Sequence, residues 1–287
     1  MIDLHTHTTY SDGTLSPTEV VELAHQIGLS AVAITDHDTV DGLDEALAAG
    51  ERLALEVVPG VELSLEYGER TLHLLAYFFC ELPTQELRGQ LAELRHYRDV
   101  RNQRILEILA AIGYPLSLDE VEKVAGSGAV GRPHIGEAMR RRGYVTSISE
   151  AFERFLRRGA PAYVDRRRLT LTAAVGLLRR SQGIGVLAHP GLIPIDADGL
   201  QRIATDVATA GVQGFECYYS EYSPETVALC LAIAERTGLV PTGGSDFHGS
   251  VKPNVHLGAG PGGAPIPDTV LDALKERYRQ TVAEPCR

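Results

Sequence analysis

The sequence predicts an α/β fold built on a largely parallel sheet, and three observations predict it. Short apolar, β-branched runs recur along the chain; helical segments separate most of them; and metal-capable side chains gather where the runs end. The runs are Ile2 to His7, Ala31 to Asp36, Val57 to Leu63, Thr71 to Phe78, Ile184 to His189, Gly214 to Tyr219 and Leu239 to Gly244. After the first run, Ser16-Pro17-Thr18-Glu19 supplies an N-cap serine, a proline at the first helical position and a glutamate three residues past the cap. Val20, Val21, Leu23, Ala24 and Ile27 give that helix its apolar face, and Gly28 stops it. Ser223-Pro224-Glu225 opens a later helix in the same way.

Between the fourth and fifth runs the alternation stops. The segment reads as helices only: Thr84 to Ile112, Leu118 to Ala125, Pro133 to Arg142 and Ser147 to Arg157. The expected organisation is an α/β domain from residues 1–82 and 164–287, interrupted by a helical insertion domain over 83–163.

Composition narrows the function. A chain of 287 residues with 44% apolar content can bury one large core plus an insert. Its net charge of −11 repels phosphates over most of the surface, which argues against wrapping duplex DNA. An anionic ligand must then find a locally positive pocket. Cys80, Cys217, Cys230 and Cys286 form no C-x-x-C pair and read as reduced packing thiols of a cytoplasmic protein. No apolar run approaches the ~18 residues of a membrane helix, and the first residues read as a polar strand rather than a leader.

The residues that carry chemistry sit at the ends of the runs. His5 and His7 are two apart, so a strand projects both to one face, and Asp12 follows in a Ser-Asp-Gly turn. His37 follows the second run, Glu62 lies near the end of the third, His73 is in the fourth, His189 ends the fifth, and Asp246 and His248 follow the last. One such histidine is most simply a packed core residue. Several in register are not, because buried imidazoles are costly without partners, whereas imidazole and carboxylate together suit a divalent metal. The carboxyl ends of strands are also where barrel enzymes build their sites. Asp36 and Asp38 are candidates for orienting imidazoles.

These motifs, His-Thr-His with Tyr-Ser-Asp-Gly, Thr-Asp-His-Asp, Gly-Val-Glu, the isolated His73 and His134, Ala-His-Pro and Gly-Ser-Asp-Phe-His, resemble those of the PHP (polymerase and histidinol phosphatase) superfamily. Within it, the insert is similar to that of stand-alone nucleotide phosphatases and 5′-3′ exoribonucleases. The resemblance implies a distorted (β/α)7 barrel and three divalent metal ions, Mn, Zn or Fe. His5, His7, Glu62 and Asp246 would hold the first. Glu62 would be shared with a second, which adds His73 and His134; Asp12, His37 and His248 would hold the third. His189 and Glu62 would be catalytic, and His189, Arg101, Asn102 and Arg132 would contact substrate.

Arg95, Arg98 and Arg104 extend the basic side of the long helix, either as part of a phosphate clamp or as a solvated face. Arg166-Arg167-Arg168 could guide an RNA backbone, and Tyr10, Tyr218 or Tyr219 could stack on a base. The implied activity is hydrolysis of nucleotide phosphate monoesters, 3′,5′-nucleoside bisphosphates or 5′-mononucleotides. Exonuclease action on short 5′-phosphorylated RNA is the main alternative. Histidinol-phosphate hydrolysis ranks lower, and a non-catalytic metal-dependent binding module ranks last, because every expected ligand position is filled.

Overall fold

The computed structural model describes residues 1–125, 130–165 and 167–282. Eight strands form one sheet: β1 Ile2–Asp3, β2 Ala31–Ile34, β3 Glu56–Tyr67, β4 Arg70–Tyr77, β5 Leu169–Thr170, β6 Ile184–Leu187, β7 Gly214–Tyr219 and β8 Val240–Gly244. Their order is β1-β2-β3-β4-β6-β7-β8, with β5 beside β3. Backbone bonds from Leu4 N to Gly243 O (3.3 Å), Asp246 N to His5 O (2.8 Å) and His7 N to Phe247 O (2.9 Å) bring the last strand back to the first. The sheet is a nearly closed barrel.

Not all of it is parallel. β4 pairs antiparallel with both β3 and β6. The reason lies in Tyr67-Gly68-Glu69-Arg70: two residues can turn a hairpin but cannot carry the long crossover that a parallel strand needs. Gly68 takes φ +58, which the tight turn requires. The hairpin also extends β3 beyond the expected Leu63 to Tyr67. β1 is shorter than expected, and His5 and His7 lie past its end.

Helices α1 Pro17–Gln26, α2 Leu43–Leu53, α7 Leu171–Arg180, α8 Ala197–Ala210, α9 Pro224–Thr237 and α10 Thr269–Thr281 belong to the barrel unit. Ser16 and Glu19 form the expected capping box on α1. α10 closes one end of the barrel, where Val270, Leu271, Leu274 and Tyr278 join Leu4, Tyr77 and Val186 in the core. Cys217 and Cys230 are free and buried. Cys80 departs from the reduced-thiol expectation, being disulfide-bonded.

The chain divides into two compact units, Met1–Gly89 with Leu169–Arg287, and Gln90–Arg168. The second comprises most of α3 Gln85–Ala111, with α4 Leu118–Ala125, α5 Arg132–Arg141 and α6 Ile148–Ala151. Ile105, Leu109, Val121, Ile135, Met139 and Phe155 centre its core. The expected last helix is present, α-helical over Ile148–Ala151 and continuing directly as a π-turn over Phe152–Leu156.

Barrel closure depends on the absence of a side chain at Gly244. A Cβ there would stand 2.2 Å from His5 Cβ and 2.5 Å from His5 N. Gly244→Ala is therefore expected to destabilise the protein by about 3 kcal/mol, read as a lower denaturant midpoint. An unchanged midpoint would show that β8 and β1 can separate freely.

Candidate metal centre

Glu62 is the centre of the site. Its backbone is fixed on both sides, by Asp38 N donating to Glu62 O (2.9 Å) and Glu62 N donating to Asp36 O (3.2 Å). Its carboxylate is fully buried, and five imidazoles surround it. Oε2 faces His5 Nε2, His7 Nε2 and His37 Nδ1, each at 3.1 Å. Oε1 faces His73 Nδ1 at 2.9 Å and His189 Nε2 at 3.0 Å. The β3–β4 register places His73 opposite Ser64, two residues along from Glu62 and hence on the same face.

Eight of the nine expected ligands converge in three overlapping groups: His5, His7, Glu62 and Asp246; His7, Asp12, His37 and His248; and His37, Glu62 and His73. Asp246 Oδ1 lies 3.1 Å from His7 Nε2 and 3.4 Å from His5 Nε2. Asp12 Oδ1 lies 3.3 Å from His248 Nε2. His134 is in the helical unit, near the start of α5, where its Nδ1 accepts from Gly131 N (3.1 Å).

The donor set fits divalent metal. Among the described residues, four buried atoms, His7 Nε2, Asp12 Oδ1, His37 Nδ1 and His73 Nδ1, make no hydrogen bond of good geometry, although each faces a carboxylate or imidazole of the cluster. Ring orientation points the same way. His5 Nδ1 faces Glu216 Oε1 (3.0 Å), and His248 Nδ1 faces the Asp246 carbonyl (2.8 Å). Both oxygens can only accept, so Nδ1 carries the proton and Nε2 is turned into the cluster. His7 Nδ1 does the same through Ser11 Oγ (3.3 Å), which itself donates to Asp36 Oδ1 (2.5 Å).

Asp36 thus orients an imidazole through a hydroxyl, and it also holds Thr8 by N (2.8 Å) and Oγ (2.7 Å). Asp38 Oδ1 accepts from Ser64 N (2.9 Å), which secures β3. Backbone strain gathers here, because Asp38, His189 and Asp246 all have positive φ (+51, +30 and +59).

Sequence reasoning missed Glu216 and Lys252, and it named Tyr219 only as a residue for base stacking. Glu216 orients His5 and also accepts from His189 N (2.6 Å). The available signal was an acid inside the apolar run Gly214–Tyr219. Tyr219 OH (2.8 Å) and Lys252 Nζ (2.6 Å) both meet Asp246 Oδ2, which leaves Oδ1 toward the imidazoles.

The electrostatics are opposed. Burial pushes the Glu62 carboxyl up, but His37, His5 and His73 outweigh it and hold it well below the usual carboxylate range. Asp246 is lowered in the same way, by His5 and His7 against burial. Burial disfavours charge on His7, yet Asp246 and Glu62 raise it to about 10; His5 is raised well above its ordinary value, by Glu216, Asp246 and Glu62 against burial. For His37 burial wins and lowers it to about 4.

Three of the four expected substrate residues, Arg101, Asn102 and Arg132, lie in the helical unit, where each has local contacts, whereas His189 lies in the barrel unit against Glu62. Arg101 Nη2 donates to Asn102 Oδ1 (2.7 Å), and Asn102 Nδ2 donates to Val130 O (2.9 Å). Arg132 donates to Leu156 O (3.0 Å) and lies over the rings of Tyr163 (5.2 Å) and Phe152 (5.9 Å). Arg104 pairs with Glu107, and Arg167 lies over Tyr97. Arg166 falls outside the described residues. Tyr10 is exposed.

A family model described as PHP domain matches residues 3–210. The chain is 32% identical over 255 residues to the 5′-3′ exoribonuclease Rnm of Escherichia coli (strain K12), covering 86% of this chain and 84% of that protein. It is 32% identical over 248 residues to a 3′,5′-nucleoside bisphosphate phosphatase of Chromobacterium violaceum, covering 86% and 87%. A solved structure of an amidohydrolase from Chromobacterium violaceum, with bound sulfate and no metal, matches with a TM-score of 0.80 at 29% identity over 96% of each chain.

Two outcomes follow from this geometry. Glu216→Gln is expected to weaken Mn2+ or Zn2+ affinity about 10- to 100-fold in calorimetric titration; unchanged affinity would remove Glu216 from the support of His5. With His5 and His7 raised and the ligand carboxylates and His37 already deprotonated, metal loading at pH 8 in weak buffer is expected to release about two protons per chain. Uptake without acidification would contradict that charge distribution.

Proposed function

This chain belongs to the PHP domain family, and from that premise we propose that it is a metal-dependent phosphoesterase acting on phosphate monoesters of nucleotides, 3′,5′-nucleoside bisphosphates or 5′-mononucleotides. The observation that carries the reading is the set of three overlapping ligand groups that share Glu62, His7 and His37. The chain as a whole carries −11, so a cationic cluster at this mouth would be the place where a phosphate dianion is attracted.

We assign three divalent ions, Mn, Zn or Fe, to His5, His7, Glu62 and Asp246; to Glu62 and His73; and to Asp12, His37 and His248. His134 is added to the second set on motif resemblance alone. Bound there, such ions supply Lewis-acid charge for a phosphoryl group and a water-derived nucleophile at neutral pH.

The chain's own residues have separate tasks. Glu62 remains ionised and presents one oxygen to each half of the cluster. Tyr219 and Lys252 hold Asp246 Oδ2, fixing which oxygen enters the site. His189 holds a proton at Nε2, favoured by Glu62 Oε1 against the effect of burial, and we assign it transfer of that proton to the leaving oxygen. Arg101, Asn102 and Arg132 are carried as substrate contacts on resemblance. No described helix is long and apolar enough to cross a membrane, and nucleotide substrates would place the enzyme in the cytoplasm.

The similarity to an exoribonuclease favours a second reading, hydrolysis of the phosphodiester at the 5′ end of short RNA. One panel separates the two. Metal-loaded protein is expected to release orthophosphate from nucleoside bisphosphates or 5′-mononucleotides, and Glu62→Gln to lower that rate at least about 100-fold with an unchanged circular dichroism spectrum. Mononucleotides released from a labelled 5′-phosphorylated oligoribonucleotide, without orthophosphate, would select the exonuclease. No product from either substrate would leave a binding module.

A further inference from the structure

On the Oε1 side of Glu62 the mouth continues into a cavity of about 350 Å³. Its inner end is formed by His73 and His189, the two imidazoles that face that oxygen at 2.9 and 3.0 Å. One wall is the start of β4. The other is the loop after His189, which brings Leu192 and Ile193 to the lining. Leu192 is 50% exposed, an apolar side chain left in water beside a buried polar cluster.

The β4 wall is unusual for a barrel strand. Pairing with β6 runs only from Tyr77↔Ile184 to Leu74↔Leu187, followed by the bond from Ala188 N to His73 O (3.0 Å). N-terminal to that point, no described strand pairs with this edge of β4. Backbone donors and acceptors therefore border an otherwise apolar slot, which suits the edge and faces of a planar heterocycle. Arg70 stands three residues along the strand from His73, about 10 Å away and on the opposite face of β4, so it meets the cavity around the strand's open edge. Its guanidinium makes no ion pair with any described residue, although a cation at a hairpin turn is ordinarily just solvated. What distinguishes Arg70 is its place on the lining of the same cavity that ends at His73.

We infer that this cavity receives the organic part of a phosphate ester and that Arg70 binds a second negative group on the same molecule. The polarity runs in the matching order: imidazoles for the phosphoryl end, an apolar slot with a hydrogen-bonding edge for a ring, then a cation. The inference rests on the phosphoesterase reading and narrows it to doubly anionic ring-bearing esters, such as nucleoside bisphosphates, over simple monophosphates.

The test compares wild type, Arg70→Ala and Arg70→Lys with two readouts. In steady-state hydrolysis, Arg70→Ala is expected to lower kcat/KM for adenosine 3′,5′-bisphosphate about tenfold more than for p-nitrophenyl phosphate. The loss should fall mainly in KM, and Arg70→Lys should restore part of it. Equal losses on both esters, or no loss, overturn the inference. In calorimetric binding of the bisphosphate with Ca2+ present, Kd is expected to rise about tenfold in Arg70→Ala. Equal binding by all three proteins, or no binding by wild type, also overturns it. Binding that weakens in Arg70→Ala, with no phosphate released from any ester, would instead reject the phosphoesterase reading and leave the cavity assignment in place.

Discussion

A fully buried carboxylate cannot stand alone in a barrel mouth, and the rest of this site follows from how Glu62 is satisfied. Removing such a group from water costs several kcal/mol unless it is paired. Here the pairing is excessive. Five imidazoles lie within 3.1 Å of two oxygens, and some of those rings lie against one another, with the centroids of His7 and His248 4.1 Å apart. Protons alone cannot settle such a cluster. His5 and His7 are driven to hold charge, whereas burial drives His37 to shed it. Cations bridging the same atoms would remove the conflict, so the strain of the bare cluster and its affinity for metal are two aspects of one arrangement.

The sheet topology sets where that cluster forms. Six of the seven strands on the barrel path run one way, and β4 alone is reversed. Reversal brings the amino-terminal half of β4 to the mouth, which is why His73 sits early in its strand while His37, His189 and Asp246 follow the ends of theirs. It also leaves the edge of β4 beyond Leu74 without a described strand partner. A strictly parallel barrel would have neither feature. The hairpin at Gly68 thus accounts for both the position of one ligand candidate and the cavity beside it.

Much of the site was legible because its residues break a pattern. Histidine and acid at the ends of apolar runs have no packing explanation, so His5, His7, His37, Glu62, Asp246 and His248 stood out from the sequence. Glu216 did not, since it lies within a strand and only the closed barrel shows that its side chain reaches His5. Lys252 lay in an irregular loop with no periodicity to give it a direction. The direction of β4 was open to a closer reading, because a Gly at a two-residue junction excludes a crossover helix. The expectation of a largely parallel sheet assigned no direction to this strand in particular. The helices of the insert were marked by apolar periodicity, but the π-turn at Phe152–Leu156 has no comparable signal.

The buried acids divide by what they face, and the division separates scaffold from chemistry. Asp3 accepts from His5 N, Ser245 N and Oγ, and Gly258 N, while Asp36 accepts from Thr8 and Ser11. In both, burial raises the carboxyl above its ordinary value, outweighing hydrogen bonds at Asp3 and the His7 charge together with hydrogen bonds at Asp36. Glu62 and Asp246 are as deeply enclosed, yet the imidazoles around them reverse the shift. Hydrogen bonds from backbone and hydroxyl groups fasten loops without settling charge, whereas opposed ionisable groups fix charge at a chosen place. The first kind closes the barrel at Asp3, between the end of β1 and the end of β8. The second keeps Glu62, Asp246 and Asp12 ionised where a cation is to be held, and those three acids are therefore the part of the site that electrostatics alone distinguishes from its supporting frame.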